Sequence, residues 1–100
     1  MVSIAVLTLE IRIEHAQSLK DKRQVVKSLK DKLRYRFNVA VAETEFQSLW
    51  QLSELVIVTV ASSRQVAEDT LRHVEDLAER HLAGGLMDSS LEWLTQKEYG

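Results

Sequence analysis

The chain has 100 residues, of which 45% are hydrophobic and 28% are charged, and it contains no cysteine. A chain of this length has enough apolar residues for one core but not for two, so we expect residues 1–100 to form a single domain. The absence of cysteine excludes disulfides, thiolate nucleophiles and cysteine-based metal sites. A small domain without disulfides is typical of a reducing compartment, and residues 1–14 lack the basic segment of a signal peptide, so we expect a cytoplasmic protein.

The net charge of −2 conceals an uneven distribution along the chain. Residues 1–38 contain nine lysines and arginines and four acids, which gives this part a charge of +5. Residues 39–100 contain four basic and eleven acidic residues, which gives −7. Because salt screens charges over about 8–10 Å, the local excess of positive charge matters more to a partner than the net charge does.

The first part of the chain predicts a strand followed by a helix. In residues 2–13, apolar side chains alternate with other residues, as expected of a half-buried strand. Ser18 is a suitable helix N-cap, and an apolar stripe at three- and four-residue steps extends the helix to about Phe37. Asn38 is predicted to end this helix in a left-handed conformation.

The middle of the chain predicts two more strands. The second strand is expected at residues 39–46 and the third, which is rich in β-branched residues, at residues 55–61, with a connector at residues 47–53. Glu43 and Glu45 are expected on one face of the second strand. There they either discourage edge-to-edge strand pairing or form a carboxylate pair for acid–base chemistry.

The last part predicts a helix and a fourth strand. Ser63 or its neighbour is expected to open the helix, which continues to about Leu82, and Gly84 and Gly85 end it before a strand at residues 86–94. The order strand-helix-strand-strand-helix-strand predicts an α+β fold of the ferredoxin-like βαββαβ type, with two helices on one face of a four-stranded antiparallel sheet. This fold serves many unrelated functions, so it does not name one.

Five basic residues fall within an arc of about 80° on the predicted first helix, and we call them the basic ridge: Lys20, Arg23, Lys27, Lys30 and Arg34. The two acids of this helix, Asp21 and Asp31, are predicted to lie off the ridge. Lys22 and Arg36 flank it, although Lys22 falls in the apolar arc, where its side chain either extends its ammonium group to solvent or meets a partner. We predict that these seven positions contact nucleic acid, and the alternative is a solvated helix face.

The sequence contains no recognisable catalytic or metal-binding pattern. None of the three histidines stands at metal-ligand spacing from another: His15, His73 and His81. Ser62 and Ser63 suit the cap of the second helix and lack the surroundings of a nucleophile. Trp50 and Trp93 are predicted to anchor a core or an interface. We therefore expect no enzyme, no metal and no cofactor.

The predicted sheet does not match the RNA-binding versions of this fold. An RNA-recognition motif stacks bases on aromatic residues of its first and third strands. Here the predicted strands at residues 2–13 and 55–61 contain no aromatic residue, and the chain has no GXXG loop. Any RNA contact is therefore expected on the first helix.

Several blocks of sequence form a pattern: Ser18-Leu19-Lys20-Asp21-Lys22-Arg23, Lys27-Ser28-Leu29, Leu33-Arg34, Arg36-Phe37-Asn38-Val39-Ala40-Val41-Ala42-Glu43 and Leu49-Trp50-Gln51. Together they resemble the YlxP-like family of small bacterial proteins of unknown function, over essentially the whole chain. The resemblance implies a ferredoxin-like fold, a bacterial cytoplasmic protein and a gene neighbourhood shared with translation and ribosome-maturation factors. It implies no catalytic residues.

Two functional hypotheses follow. The first is a non-enzymatic protein that associates with RNA or the ribosome through the basic ridge, with ribosomal RNA or a ribosomal subunit as its partner. The second is a small-molecule-binding or regulatory homodimer that uses the open face of the sheet. The second hypothesis is motivated by Ile4 and Val6, which are predicted to face away from the helices and to leave an apolar patch.

Overall fold

The computed structural model describes residues 2–94, which form six elements in this order: β1 (Ser3–Arg12), α1 (Leu19–Arg36), β2 (Val39–Glu45), β3 (Leu52–Ala61), α2 (Arg64–Leu82) and β4 (Leu86–Leu94). The strands form one antiparallel sheet in the order β2-β3-β1-β4. Both helices pack on one face of this sheet. This is the ferredoxin-like βαββαβ arrangement, so the predicted fold is confirmed.

The hydrophobic core lies between the two helices and one face of the sheet. Alternate residues of the central strands β1 and β3 point into it and are at most 4% exposed: Ala5, Leu7, Leu9, Ile11, Leu55 and Ile57. The helices bury one stripe each, which consists of Val26, Leu29 and Leu33 on α1 and Ala67, Leu71, Val74, Leu77 and Ala78 on α2. Burying one such large aliphatic side chain contributes about 2 kcal/mol, so these stripes fix both helices on the sheet.

Serine side chains cap the N-termini of both helices. The Ser18 hydroxyl accepts a hydrogen bond from the Asp21 backbone N–H at 3.1 Å, and Ser63 does the same for Val66 at 3.2 Å. Both predicted caps are therefore confirmed. The Asp21 carboxylate in turn accepts from the backbone N–H of Gln17, the residue before the cap, at 3.1 Å, and so fixes the chain that enters α1.

The end of α1 differs from the prediction at Asn38. Phe37 is the C-cap and has an extended backbone (φ −130°), and Asn38 does not take up a left-handed conformation. The chain enters β2 two residues after the helix, so it has to become extended at once. The Asn38 carbonyl accepts from the Thr59 hydroxyl at 2.7 Å, and its amide donates to the Val60 carbonyl at 3.2 Å.

The second helix ends in a tight turn that also supports β1. Ala83 and Gly84 both have positive φ, at 47° and 95°. Gly85 then donates to the Leu82 carbonyl at 3.0 Å and accepts from the Arg12 N–H at 2.7 Å. A Cβ at Gly85 would lie 2.3 Å from the Arg12 oxygen, so the close approach of the two backbones requires glycine at this position.

The bounds of β3 are the largest departure from the predicted elements. The strand begins at Leu52, three residues before the predicted start at Leu55. Its first inward side chain is Ser53, which is 1% exposed and whose hydroxyl donates to the Glu43 carboxylate at 2.7 Å. A polar residue at a core position obscured this part of the strand in the sequence. No helix within residues 2–94 is long and apolar enough to cross a membrane.

Candidate functional site

The basic ridge lies on the flank of α1 that overhangs the edge strand β2. Arg34 defines this side, because its Nη2 donates to the Val41 carbonyl of β2 at 2.8 Å. Lys20, Arg23 and Lys27 are exposed, and Lys30 is partly exposed. The five side chains therefore share one surface of the helix, at the edge of the molecule that is remote from α2.

Asp31 neutralises part of the ridge. Its carboxylate lies 2.6 Å from Lys27 Nζ and 3.8 Å from Arg34 Nη1. The hydrogen bond from Lys27, with the positive charges of Lys27, Arg34 and Lys30, holds the pKa of Asp31 below its ordinary value. Asp31 therefore stays ionised at neutral pH and does not lie clear of the ridge, contrary to expectation.

Three members of the ridge have no direct carboxylate partner among the described residues. Within residues 2–94, Lys20, Arg23 and Lys30 form no ion pair within 4.0 Å. At about 1.5 Å per residue they lie roughly 5 and 10 Å apart along the helix axis. Cations at such intervals are suited to contact successive anionic groups of one extended partner.

Lys22 is not part of this surface, although it was predicted to flank the ridge. Its side chain is 1% exposed, and its Nζ lies 3.0 Å from a Glu43 carboxylate oxygen. The same ammonium group donates to the Phe46 carbonyl, and Ser53 donates to the same Glu43 oxygen. Of the two alternatives for Lys22, the structure therefore shows the one in which it meets a partner, and this contact ties α1 to β2, β3 and the loop between them.

Glu43 and Glu45 face opposite sides of the sheet, so the expectation of a shared face was wrong. Glu43 pairs with Leu55 of β3 and Glu45 pairs with Glu54, with Thr44 as an extra residue between them. Such a bulge reverses the alternation of side chains along a strand. Glu43 serves the buried Lys22 on the helix side, and Glu45 points to the open face, so the two do not form a carboxylate pair.

Arg36 lies on the other side of α1 from the ridge. Its guanidinium stands 6.0 Å from the centre of the Phe37 ring, and with Lys32 it lines a groove shared with α2. The Lys32 ammonium lies 3.3 Å from Nδ1 of His81. Burial, together with the charge of Lys32, lowers the pKa of His81. The exposed side of α1 is thus basic on both flanks.

The open face of the sheet is divided between an apolar part and an acidic row. The apolar part lies at one end of the central strands and includes Ile4, Val6, Val56, Val58 and Val60. The acidic row crosses all four strands, because Glu45, Glu54, Glu10 and Asp88 are consecutive cross-strand partners. A row of carboxylates repels a polyanion, so this face is unsuited to nucleic acid.

The remaining candidates do not form a site. Among residues 2–94, no group of three histidine, aspartate or glutamate side chains is placed to hold a metal ion. Trp93 is partly buried against the core and stacks beneath Arg64, with 4.2 Å from the guanidinium to the ring centre. Trp50 is 53% exposed in the loop between β2 and β3. Of the two predicted anchors, Trp93 packs in the core and Trp50 does not.

Solved structures share the fold at low sequence identity. A designed protein, Foldit4, matches 96% of this chain and 99% of its own, with a TM-score of 0.58 and 9% identity. The M20-family peptidase YXEP of Bacillus subtilis matches 94% of this chain over 26% of its own length, with a TM-score of 0.60 and 14% identity. A C-terminal segment of the alpha subunit of aIF2 from Pyrococcus abyssi matches 95% of this chain over 52% of its own, with a TM-score of 0.55 and 15% identity. At these identities the likeness concerns the fold alone.

One relative and one family model match this chain at the level of sequence. The chain is 38% identical over 65 residues to the uncharacterized protein YlxP of Bacillus subtilis, and the match spans 65% of this chain and 71% of that protein. The model of the DUF503 family, described as a protein of unknown function, matches residues 4–90. That range includes the whole of α1 and the buried pair of Lys22 and Glu43. The chain therefore belongs to the DUF503 family of proteins of unknown function and is YlxP-like, as its sequence blocks indicated.

Proposed function

We propose that this protein binds RNA through the basic ridge of α1 and has no catalytic role. The observation that carries the proposal is the set of three ridge cations, Lys20, Arg23 and Lys30, that have no carboxylate partner within residues 2–94. Uncompensated like charges on one helix flank lower the stability of the helix. A polyanionic partner removes that repulsion, and the released counterions favour binding.

The shape of the ridge suits a phosphate backbone. From Lys20 to Arg34 the helix advances about 21 Å, which corresponds to several phosphate spacings. Lys27 is 75% exposed, so it can reach a phosphate. When Lys27 leaves Asp31 for a phosphate, Asp31 stays paired with Arg34. Arg34 is partly committed to the Val41 carbonyl. We therefore assign four phosphate contacts to the ridge: Lys20, Arg23, Lys27 and Lys30.

The charge of the other surfaces supports the same orientation. The acidic row crosses the open face of the sheet, and β1 and β3 carry no aromatic residue on which a base would stack. A polyanion is therefore directed to α1 and away from the sheet. The family resemblance implies a gene neighbourhood shared with translation and ribosome-maturation factors. This neighbourhood favours ribosomal RNA, free or in a ribosomal subunit, as the partner.

The proposal is tested by measuring RNA affinity over a series of salt concentrations. With about four phosphates neutralised, log affinity for single-stranded RNA falls with log salt at a slope of about −3. The double variant Arg23→Gln with Lys30→Gln is expected to reduce the magnitude of that slope by about 1.4 and to weaken binding to ribosomal RNA fragments and unrelated RNA alike. Fluorescence anisotropy with a labelled RNA fragment provides both quantities.

The matched control is the double variant Arg12→Gln with Arg72→Gln. Both arginines are exposed and lie outside the ridge, on β1 and α2, so the net charge changes by the same amount. This control is expected to keep the affinity and slope of the unmodified protein. A flat salt response of the unmodified protein, or equal losses in the two double variants, rules out the ridge as the RNA-binding surface.

A second candidate function is favoured by the apolar part of the open face. Val60 is 48% exposed, and Ile4, Val6, Val56 and Val58 are only partly covered. A second copy of this chain that covered them would form a regulatory or ligand-binding homodimer. The acidic row beside the patch opposes full face-to-face pairing, because it would be buried with its carboxylates unpaired. RNA binding is therefore the better-supported function.

A further inference from the structure

An open groove of about 550 Å³ separates the outer sides of α1 and α2. It lies on the flank of α1 away from the basic ridge. Its floor is formed by the buried Leu77, and its walls carry Lys32 and Arg36 of α1 and Arg80 and His81 of α2. The volume falls within the range of about 300–1,000 Å³ that small-molecule sites occupy.

The groove has an excess of positive charge. Asp31 is the single acid among the residues that line it, and its carboxylate is held by Lys27 and Arg34 of the ridge. Within residues 2–94, Lys32, Arg36 and Arg80 form no ion pair within 4.0 Å. Three basic residues from two helices thus line one depression without a carboxylate partner of their own, which gives it a positive potential suited to an anion.

Tyr35 stands at the rim of the same groove. Its side chain is 92% exposed, so its ring contributes almost nothing to the core. It lies near the outermost line of α1, between the ridge on one flank and the groove on the other. An exposed aromatic ring beside an anion-binding depression provides a flat surface on which a nucleobase stacks.

We propose that this groove binds one nucleotide of single-stranded RNA, with its base stacked on Tyr35 and its phosphate between Lys32, Arg36 and Arg80. The inference rests on the proposed function, because the ridge then holds the neighbouring phosphates of the same strand. The strand crosses α1 obliquely, from the ridge over Tyr35 into the groove. The base has to be unpaired, since a duplex keeps its bases stacked on one another and withholds their faces from a side chain.

The test compares a labelled single-stranded RNA with a duplex of the same sequence. Tyr35→Ala is expected to weaken single-strand binding about tenfold and to leave duplex binding unchanged, because stacking on an aromatic ring is lost only for unpaired bases. Tyr35→Phe keeps the ring and is expected to retain the affinity. Trp50→Ala is the control, since Trp50 is an exposed aromatic residue in the loop between β2 and β3, outside the groove.

A second variant tests the phosphate contacts independently of the ring. Arg36→Gln with Arg80→Gln is expected to reduce the magnitude of the salt slope for single-stranded RNA by about 0.7, because the contact to one phosphate is lost. Adenosine monophosphate is expected to compete only weakly, because it carries one phosphate and makes no ridge contact. If the mononucleotide competes as well as an oligonucleotide does, the groove takes a free nucleotide and the assignment to a strand is overturned.

The outcomes separate this inference from the proposed function. If the Arg23→Gln, Lys30→Gln variant weakens binding while the Tyr35 and Arg36, Arg80 variants do not, the groove inference is wrong and the ridge remains. If only the groove variants weaken binding, the groove is the site and the ridge proposal fails. If the unmodified protein binds neither RNA, both are overturned.

Discussion

At the scale of single residues, Lys22 shows how a charge is accommodated in the core. A lysine at 1% exposure loses its hydration, and only a close carboxylate and further hydrogen bonds offset that loss. Glu43 provides the carboxylate at 3.0 Å, and the Phe46 carbonyl provides a second acceptor. Phe46 has a positive φ of 64°, which is uncommon for a residue other than glycine. The contact with Lys22 stabilises that conformation at the end of β2.

We predict that Lys22→Met destabilises the fold by about 3 kcal/mol, because Glu43 then keeps its charge in a largely buried place without a cation. The double variant Lys22→Met with Glu43→Leu is expected to recover most of this loss, since no unpaired charge remains. Urea denaturation of the two single variants and the double variant gives the coupling energy. Lys30→Met, on the surface of the same helix, is the control and is expected to change stability by less than about 0.5 kcal/mol. Additive effects of the two substitutions would contradict the pairing.

Most of the residue-scale expectations could be made from helical spacing, and the exceptions have physical causes. The spacing placed Lys22 in the apolar arc but left open whether it extends to solvent or meets a partner, because the partner comes from β2, 21 residues later. Asp31 was expected off the ridge because the angular spacing ignores the reach of side chains, and Lys27 extends far enough to meet it. Tyr35 was not singled out from the sequence, although an aromatic residue on the polar side of α1 is the signal that could have indicated it. The groove beside it exists only because α2 packs alongside.

At the scale of elements, the turn after α2 has small residues for two different physical reasons. Ala83 takes up a left-handed conformation that costs a non-glycine residue about 1–2 kcal/mol. The backbone conformation of Gly85 is one that other residues adopt, but a side chain at this position would clash with the backbone of Arg12. One position is therefore strained by its conformation, and the other is restricted by space.

We predict that Ala83→Gly stabilises the protein by about 1 kcal/mol, because glycine adopts the left-handed conformation without strain. Gly85→Ala is expected to destabilise it by about 1–3 kcal/mol, because the new methyl group meets backbone atoms that cannot turn aside. Thermal denaturation of both variants measures the two effects. If both variants shift the melting temperature equally and in the same direction, the composition of the turn decides its stability, and the strain at Ala83 and the lack of space at Gly85 do not.

The types and order of all six elements were predictable, from apolar periods in β1, α1 and α2, from the β-branched residues of β3 and from the glycines that precede β4. Their ends were predictable where a local group decides them, as at Ser18 and Ser63. They were not predictable where a distant group decides them. Ser53 lies in β3 because Glu43 accepts its hydroxyl, and the bulge at Thr44 allows Glu43 and Glu45 to meet different partners.

At the scale of the whole molecule, the open face of the sheet decides whether copies associate. The directly opposed pair of Glu10 and Glu54 lies at the centre of the acidic row. Opposed like charges destabilise the sheet by several tenths of a kcal/mol. Their burial under a second copy would cost more, because both carboxylates would lose water without gaining a cation. The row therefore protects the neighbouring valines from self-association.

We predict that the protein is monomeric at neutral pH, and that Glu10→Gln with Glu54→Gln increases self-association through the open face. The reason is that the substitutions remove the charge that opposes burial and leave the apolar patch in place. Light scattering over a range of concentrations measures the molecular mass. Asp76→Asn with Glu79→Gln, on α2, changes the net charge equally and is the control. A dimer of the unmodified protein would instead favour the second candidate function.

The acidic row also has a consequence for the way the molecule meets a partner. The acidic row on the open face and the net negative charge of α2, set against the basic α1, give the molecule an electric moment that points toward α1. In the field of a polyanion this moment exerts a torque over about one Debye length, so the molecule turns α1 forward before any contact forms. The distribution of charge then controls the association rate more than it controls the lifetime of the complex.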